Sequence, residues 1–170
     1  YMRYNVKPAL LRNYQLAQQP HFKLLMDNEI QTYKLIRLHS SGDFFSAKYI
    51  QDWIWISSRH PDTQFLAFTH AWSMPALWPH LEEWGSLPNC RLWLSIDPTS
   101  PTPPNWPLKA YIEGTRGASV PNCPKQLYHS NCHACQRCFY QTHGVVTFKT
   151  HLYGWDARRS NNAQVTTHRL

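Results

Sequence analysis

Long hydrophobic runs are missing from this sequence. Its longest apolar stretches, such as Trp53–Ile56, are far shorter than the roughly 20 residues that a membrane-spanning helix needs. A charged start followed by an apolar segment, which marks a secretory signal, is also missing. We therefore expect a cytoplasmic protein that does not contact a membrane. The chain begins with Tyr1 rather than methionine, which favours a fragment whose upstream sequence is missing.

Several catalytic motifs are absent as well. The sequence contains no GxxxxGKS or GxxxxGKT loop, no GxGxxG turn, no HExxH helix and no GxSxG turn. It therefore carries no signature of a P-loop hydrolase, a dinucleotide-binding enzyme, a zinc metalloprotease or a serine hydrolase.

Acidic residues are few. The chain has 10 Asp and Glu against 17 Lys and Arg, which gives a formal net charge of +7 at pH 7. A positive charge of this size suits a nucleic-acid partner. The basic residues are scattered, however, and only Arg158 and Arg159 are adjacent, as on an ordinary solvated surface. The charge leaves both interpretations open.

Helical and strand patterns alternate along the chain. Helices are predicted from apolar spacing and capping residues over 8–17, 21–31, 46–60 and 73–84. Strands are predicted from short apolar runs over 33–38, 64–69, 91–96, 109–113 and 145–151. Prolines crowd residues 98–107, which predicts an extended connector. This order is typical of an α/β fold with an open parallel sheet, and we predict one domain over 1–156 followed by a polar tail over 157–170.

Functional residues of parallel sheets gather where the strands end. The first predicted strand runs into HSSGDFFS, where His39, Ser41 and Asp43 are candidate catalytic residues. Asp43 suits the role of acid, base or metal ligand, although an aspartate in such a turn also commonly binds backbone amides. The next two strand ends supply the candidate cofactor-binding residues Thr69, His70, Ser95 and Asp97.

Cysteine is unevenly placed. Four of the five cysteines fall within one short stretch, and Cys90 stands apart. Their spacing is C-x8-C-x2-C-x2-C, formed by Cys123, Cys132, Cys135 and Cys138. An odd number of crowded cysteines does not indicate a disulfide framework, which spreads an even set along a short secreted chain. We predict that these four clustered cysteines are metal ligands, held in a cysteine segment over residues 121–140.

The spacing bears on which metal is bound. A C-x2-C-x2-C run with one remote cysteine favours an iron-sulfur cluster of the 4Fe-4S type. Zinc is the alternative, because four thiolates also form the common structural zinc site, although zinc modules usually join two separate C-x2-C knuckles. His133 lies inside the run and is the nearest substitute ligand. With zinc, the chain would be a non-enzymatic nucleic-acid-binding module.

Several stretches taken together resemble the gene-product-88 family of phages and plasmids. They are HSSGDF at 39–44, YIQDW at 49–53, FLAFTHAW at 65–72, LPNCRLWLSID at 87–97, and the ending from VPNCP through VVTFKTH. The resemblance implies a partial β/α-barrel-like fold similar to radical-SAM proteins, with S-adenosylmethionine bound in the full-length protein and a further cysteine segment upstream. The function that it implies is an iron-sulfur-binding enzyme fragment, radical-SAM-like, acting on a nucleotide or nucleic acid.

Overall fold

One parallel β-sheet organises the protein. The computed structural model describes residues 7–150. The strands are β1 (Leu35–Arg37), β2 (Gln64–Thr69), β3 (Cys90–Ile96), β4 (Leu108–Ile112) and β5 (Gly144–Phe148). They lie side by side in the order β1-β2-β3-β4-β5, and every neighbouring pair is parallel. The prediction of an α/β fold with an open parallel sheet is therefore confirmed, and so is the parallel pairing of its first three strands.

Seven helices occur in the described part of the chain. They are α1 (Lys7–Ala17), α2 (Phe22–Glu29), α3 (Ala47–Arg59), α4 (Trp78–Gly85), α5 (Pro124–Tyr128), α6 (Cys132–Cys135) and α7 (Arg137–Tyr140). The first turn of α3 is stabilised by its cap, because the Ser46 hydroxyl accepts a hydrogen bond from the Tyr49 N–H at 3.2 Å. None of the helices within residues 7–150 is long and apolar enough to span a membrane.

The helix predicted to begin at Ser73 begins later, at Trp78. A short 3₁₀ turn (Ala71–Ser73) comes first, and Met74 then adopts an extended backbone. The reason is Pro75, whose ring disfavours helical geometry in the residue before it. Pro79, in contrast, lies in the first turn of α4, where a missing N–H costs nothing.

The last strand ends earlier than predicted. The last strand was predicted to run to His151 but ends at Phe148 among the residues that the structure describes. His151 itself and the predicted tail over 157–170 lie outside those residues. The proline-rich connector has neither helix nor strand, as predicted, and the Trp106 indole N–H near its end donates a 2.8 Å hydrogen bond to the Leu92 carbonyl.

The two faces of the sheet are covered differently. Side chains alternate along each strand, so in β2 the neighbours Phe65 and Leu66 enter two separate hydrophobic clusters. The first cluster lies under helices α1–α4 and contains the fully buried Trp84. The second lies on the opposite face and receives Phe139 from α7. The cysteine segment therefore packs on the face that the larger helices leave uncovered.

That second face is concave. Phe68 of β2 and Phe148 of β5 are separated by β3 and β4, which in a flat sheet would place them at least about 14 Å apart, the width of three strand spacings. Their ring centroids are only 5.6 Å apart, in an edge-to-face contact. The sheet must curl to bring them together, which creates a hollow between its inner face and the cysteine segment.

Candidate functional site

The hollow forms a cavity of about 560 Å³, which we call the cysteine cavity. Its floor consists of inward-facing strand residues, namely Leu66, Phe68, Ala110, Ile112, Val146 and Phe148. Its roof is the cysteine segment. Successive side chains of a strand point to opposite faces of the sheet. These residues therefore face the cavity, while their neighbours in sequence face the helices.

The cysteine segment folds into three short helical turns. Cys123 precedes α5 and Pro124 occupies its first position. The Asn131 side chain caps α6 by accepting a 2.7 Å hydrogen bond from the Ala134 N–H. Gln136 then takes a left-handed backbone conformation, with φ near +50°, and reverses the chain between α6 and α7. These turns place the C-x2-C-x2-C run around one edge of the cavity.

All four clustered cysteines line the cysteine cavity. Cys90, in contrast, is buried in the helix-covered core on the other face. Within residues 7–150, no three Cys, His, Asp or Glu side chains are placed closely enough to hold a metal ion. The prediction that these cysteines are metal ligands therefore stays a prediction.

The surroundings of the four thiols are apolar and positively charged. Burial, together with the charges of the other three cysteines, raises the pKa of Cys138 to about 12, and Arg137 partly opposes this rise. The Arg37 guanidinium reaches Cys132, with 3.9 Å between Nη1 and Sγ. Among the described residues that line the cavity, four are Arg or Lys and none is Asp or Glu. These four cations favour a ligand with negative charge.

Two of the four predicted cofactor-binding residues line the same cavity, namely His70 and Ser95. Asp97 lies beside His70, with 4.0 Å between its Oδ2 and the Nδ1 of the imidazole, but is not part of the lining. Hydrogen bonds from the Thr99 hydroxyl and backbone hold the pKa of Asp97 below its usual value. Thr69 is fully buried and contacts the turn before α3 instead.

Asp43 joins the end of β1 to the end of β2. Its Oδ1 accepts hydrogen bonds from the Thr69 hydroxyl and, at 2.7 Å, from the Phe44 N–H. Its Oδ2 accepts a 2.7 Å hydrogen bond from the His70 N–H. Both oxygens are thus engaged in holding two loops together, and Asp43 does not line the cysteine cavity. Ser41 is exposed in the turn just before it, so the catalytic roles predicted for this loop stay predictions.

His39 occupies a strained and mostly buried position. Its backbone is left-handed, with φ near +53°, which is uncommon for a residue other than glycine. Its Nε2 shares a 3.2 Å hydrogen bond with the Tyr49 hydroxyl, and its ring lies edge-on to Phe44. Within the described chain, its Nδ1 is buried without a hydrogen-bond partner. Burial lowers the pKa of His39, and the nearby charge of Asp43 only partly opposes this.

Comparison with known proteins identifies the family. The model of the family described as Gene product 88 matches residues 1–141. The chain belongs to the gene product 88 family. The resemblance inferred from its motifs is thereby confirmed at the level of the family, and no solved structure matches this gene product 88 chain.

Two phage proteins are similar to this member of the gene product 88 family. The Gene 88 protein of Mycobacterium phage L5 is 38% identical over 65 residues, which cover 38% of this chain and 26% of that protein. The Gene 88 protein of Mycobacterium phage D29 is 37% identical over 81 residues, which cover 48% of this chain and 30% of that protein. The alignments thus span less than a third of either relative.

Sequence reasoning missed four basic residues that line the cysteine cavity, namely Arg37, Lys125, Arg137 and Lys149. Arg37 had a usable signal, because it follows Leu35 by two residues in a strand and therefore faces the same side. Arg137 lies inside the cysteine run and donates to the Asn122 and Val145 carbonyls, both at 3.4 Å. The two lysines had no periodic signal, since both lie outside the strands.

The burial of His39 makes the stability of the protein depend on pH. Its pKa in the folded protein is lowered from 6.5, so the unfolded state binds the proton more readily. Above pH 6.5 the imidazole of His39 is neutral in both the folded and the unfolded state. As the pH falls below 6.5, the unfolded state takes up the proton first, so the free energy of unfolding decreases until the pH is below the pKa of the folded state. We expect His39→Gln to reduce the slope of the free energy of unfolding against pH in this acidic range, by up to about 1.4 kcal/mol per pH unit for one proton.

The measurement is urea unfolding of the wild type and the variant at a series of pH values from neutral to mildly acidic. The exposed His21→Gln is the matched control and should keep the slope of the wild type. Equal slopes for His39→Gln and the wild type would contradict the prediction.

Proposed function

We propose that this gene product 88 protein binds a 4Fe-4S iron-sulfur cluster in the cysteine cavity. The ligands are the four clustered cysteines, Cys123, Cys132, Cys135 and Cys138. The observation that carries the proposal is that all four line one cavity, although Cys123 lies outside the C-x2-C-x2-C run. Three cysteines from one run and one from elsewhere are a common ligand set for such clusters.

The donor set of the cavity fits a cluster. A cluster held by four thiolates carries net negative charge, and the cavity supplies Arg37 and Arg137 but no carboxylate among its described residues. As placed, the thiols are not at metal-binding distances, so binding requires them to turn toward a common centre. Cysteine has a single side-chain torsion, and its rotation moves the sulfur without refolding the helical turns.

The shape of the sheet supports an enzymatic role. Each strand from β1 to β5 is added on the same side of the previous one, which is the order found around β/α barrels. Together with the concave inner face, this order supports the partial-barrel, radical-SAM-like interpretation. When bound, an iron-sulfur cluster supplies one-electron chemistry. His70 and Ser95, at the ends of β2 and β3, line the same cavity and are available to orient a substrate there.

The test is purification under anaerobic conditions, followed by reconstitution with iron and sulfide. We expect brown protein with broad sulfide-to-iron absorption and about four iron and four acid-labile sulfide atoms per chain. A colourless protein with one tightly bound zinc per chain would overturn the proposal. In that case the zinc-stabilised nucleic-acid-binding module would replace it, and salt-dependent binding to DNA or RNA would be the next measurement.

A further inference from the structure

From the charges and rings around the cysteine cavity, we infer that it also binds a small organic phosphate of mononucleotide size. The phosphate lies at Lys125 and Lys149, and the planar part lies against Phe148. The inference rests on the proposed function in one respect only, since both place a ligand in the cysteine cavity. It names the class of substrate that the proposed function leaves open.

The two lysines form the end of this site that binds the anion. Lys125 lies in α5 and Lys149 directly follows β5. A 2.7 Å hydrogen bond from the Lys149 N–H to Oε1 of Gln126 holds the two segments side by side. Within residues 7–150, neither lysine has a carboxylate within ion-pair distance. Two cations without an acidic partner at the rim of one cavity favour a phosphate group.

The floor of the cavity provides the apolar end. Phe148 and Phe68 meet edge-to-face at 5.6 Å, and Phe68 in turn stacks on Trp93 with ring centroids 5.9 Å apart. Arg37 lies over the Phe68 ring at 5.2 Å, so that Phe148 is the ring left to contact a ligand. Aromatic rings held rigidly in this way bind the flat face of a base, and stacking on a base contributes about 1–3 kcal/mol.

The size of the cavity agrees with such a ligand. At about 560 Å³ it falls in the range of roughly 300–1,000 Å³ that is typical of small-molecule sites. Its position at the carboxyl ends of parallel strands is where α/β proteins commonly bind their substrates. The cysteines occupy the roof and the phenylalanines the floor, so the cluster and the planar part of the nucleotide would contact different sides of the cavity.

The experiment is isothermal titration of the full chain with AMP, GMP, CMP and UMP at low salt. We expect at least one of them to bind, and to bind more tightly than its nucleoside and than orthophosphate. Lys125→Gln and Lys149→Gln should each weaken binding about tenfold, and Phe148→Leu should weaken binding of the nucleotide but not of orthophosphate. Lys34→Gln, an exposed lysine before β1, is the control and should not change affinity.

Three results would overturn the inference. They are failure of all four nucleotides to bind, unchanged affinity in both cavity-lysine variants, and binding of orthophosphate as tight as that of the best nucleotide. Iron and sulfide are measured on the same samples. Protein that holds a cluster but binds no nucleotide overturns this inference and leaves the proposed function standing. Protein that binds a nucleotide but holds no cluster after reconstitution overturns the proposed function and leaves this inference standing.

Discussion

Cys135→Ser is expected to abolish cluster binding in reconstituted protein. Cys135 is the middle cysteine of the run and lies at the end of α6, where it lines the cavity with the other three. Serine is close in size but replaces the soft thiolate by a hydroxyl, which is a poor ligand for iron at neutral pH. The iron and labile sulfide contents should therefore fall from about four atoms of each per chain to a small fraction of that amount.

Loss of the cluster should also lower the thermal stability. A ligand that binds only the folded state stabilises it by mass action, by about 3 kcal/mol at a hundredfold excess over its Kd. For a chain of this length, that corresponds to a fall in Tm of roughly 6–12 °C relative to loaded wild type. Without iron, the variant and the wild type should unfold at nearly the same temperature. This comparison separates loss of the cluster from damage to the fold.

Cys90→Ala is the matched control for this prediction. Cys90 is buried among apolar side chains under the helices and contributes nothing to the cysteine cavity. Its variant should keep full iron and sulfide. Retention of a complete cluster by Cys135→Ser would contradict the assigned ligand set, and we would then examine His133 as the replacement ligand.

The sheet could be predicted because its strands carry a strong local signal. The run QFLAFT alternates between the two faces and is bounded by polar residues, and the strand predicted over 64–69 agrees with β2 at both ends. The parallel order followed from the intervening helices, since such crossovers join parallel strands. The start of α4 was misjudged because Pro75 changes the backbone before a helix that is otherwise well patterned.

The candidate site was predicted in parts but not as a whole. Sequence placed one set of residues at the strand ends and another in the cysteine segment, and it treated the two as separate. The structure brings His70 and Ser95 into the same cavity as the cysteines, because the segment folds back over the inner face of the sheet. That contact depends on the curl of the sheet and on Phe139 packing against it, and neither has a periodic pattern in the sequence.

Asp43 illustrates how one residue type supports two interpretations. From the sequence, it was an equally good candidate for catalysis and for holding a turn. Its three hydrogen bonds to Thr69, Phe44 and His70 account for both oxygens and join two strand ends. This geometry favours the structural role, and it makes a large loss of stability the expected effect of removing the carboxylate.

We expect Asp43→Ala to lower the free energy of unfolding by about 3 kcal/mol, measured by urea denaturation. The substitution leaves the fully buried Thr69 hydroxyl and two backbone N–H groups without their acceptor, and hydrogen bonds to a charged group contribute roughly 1.5–3 kcal/mol each. Asp43→Asn keeps one acceptor oxygen and should lose about half as much. Asp62→Ala, at an exposed position in the turn before β2, is the control and should change stability by less than about 0.5 kcal/mol. If Asp43→Ala is as stable as Asp62→Ala, the carboxylate does not hold the two strand ends together, and its catalytic interpretation would again be the stronger one.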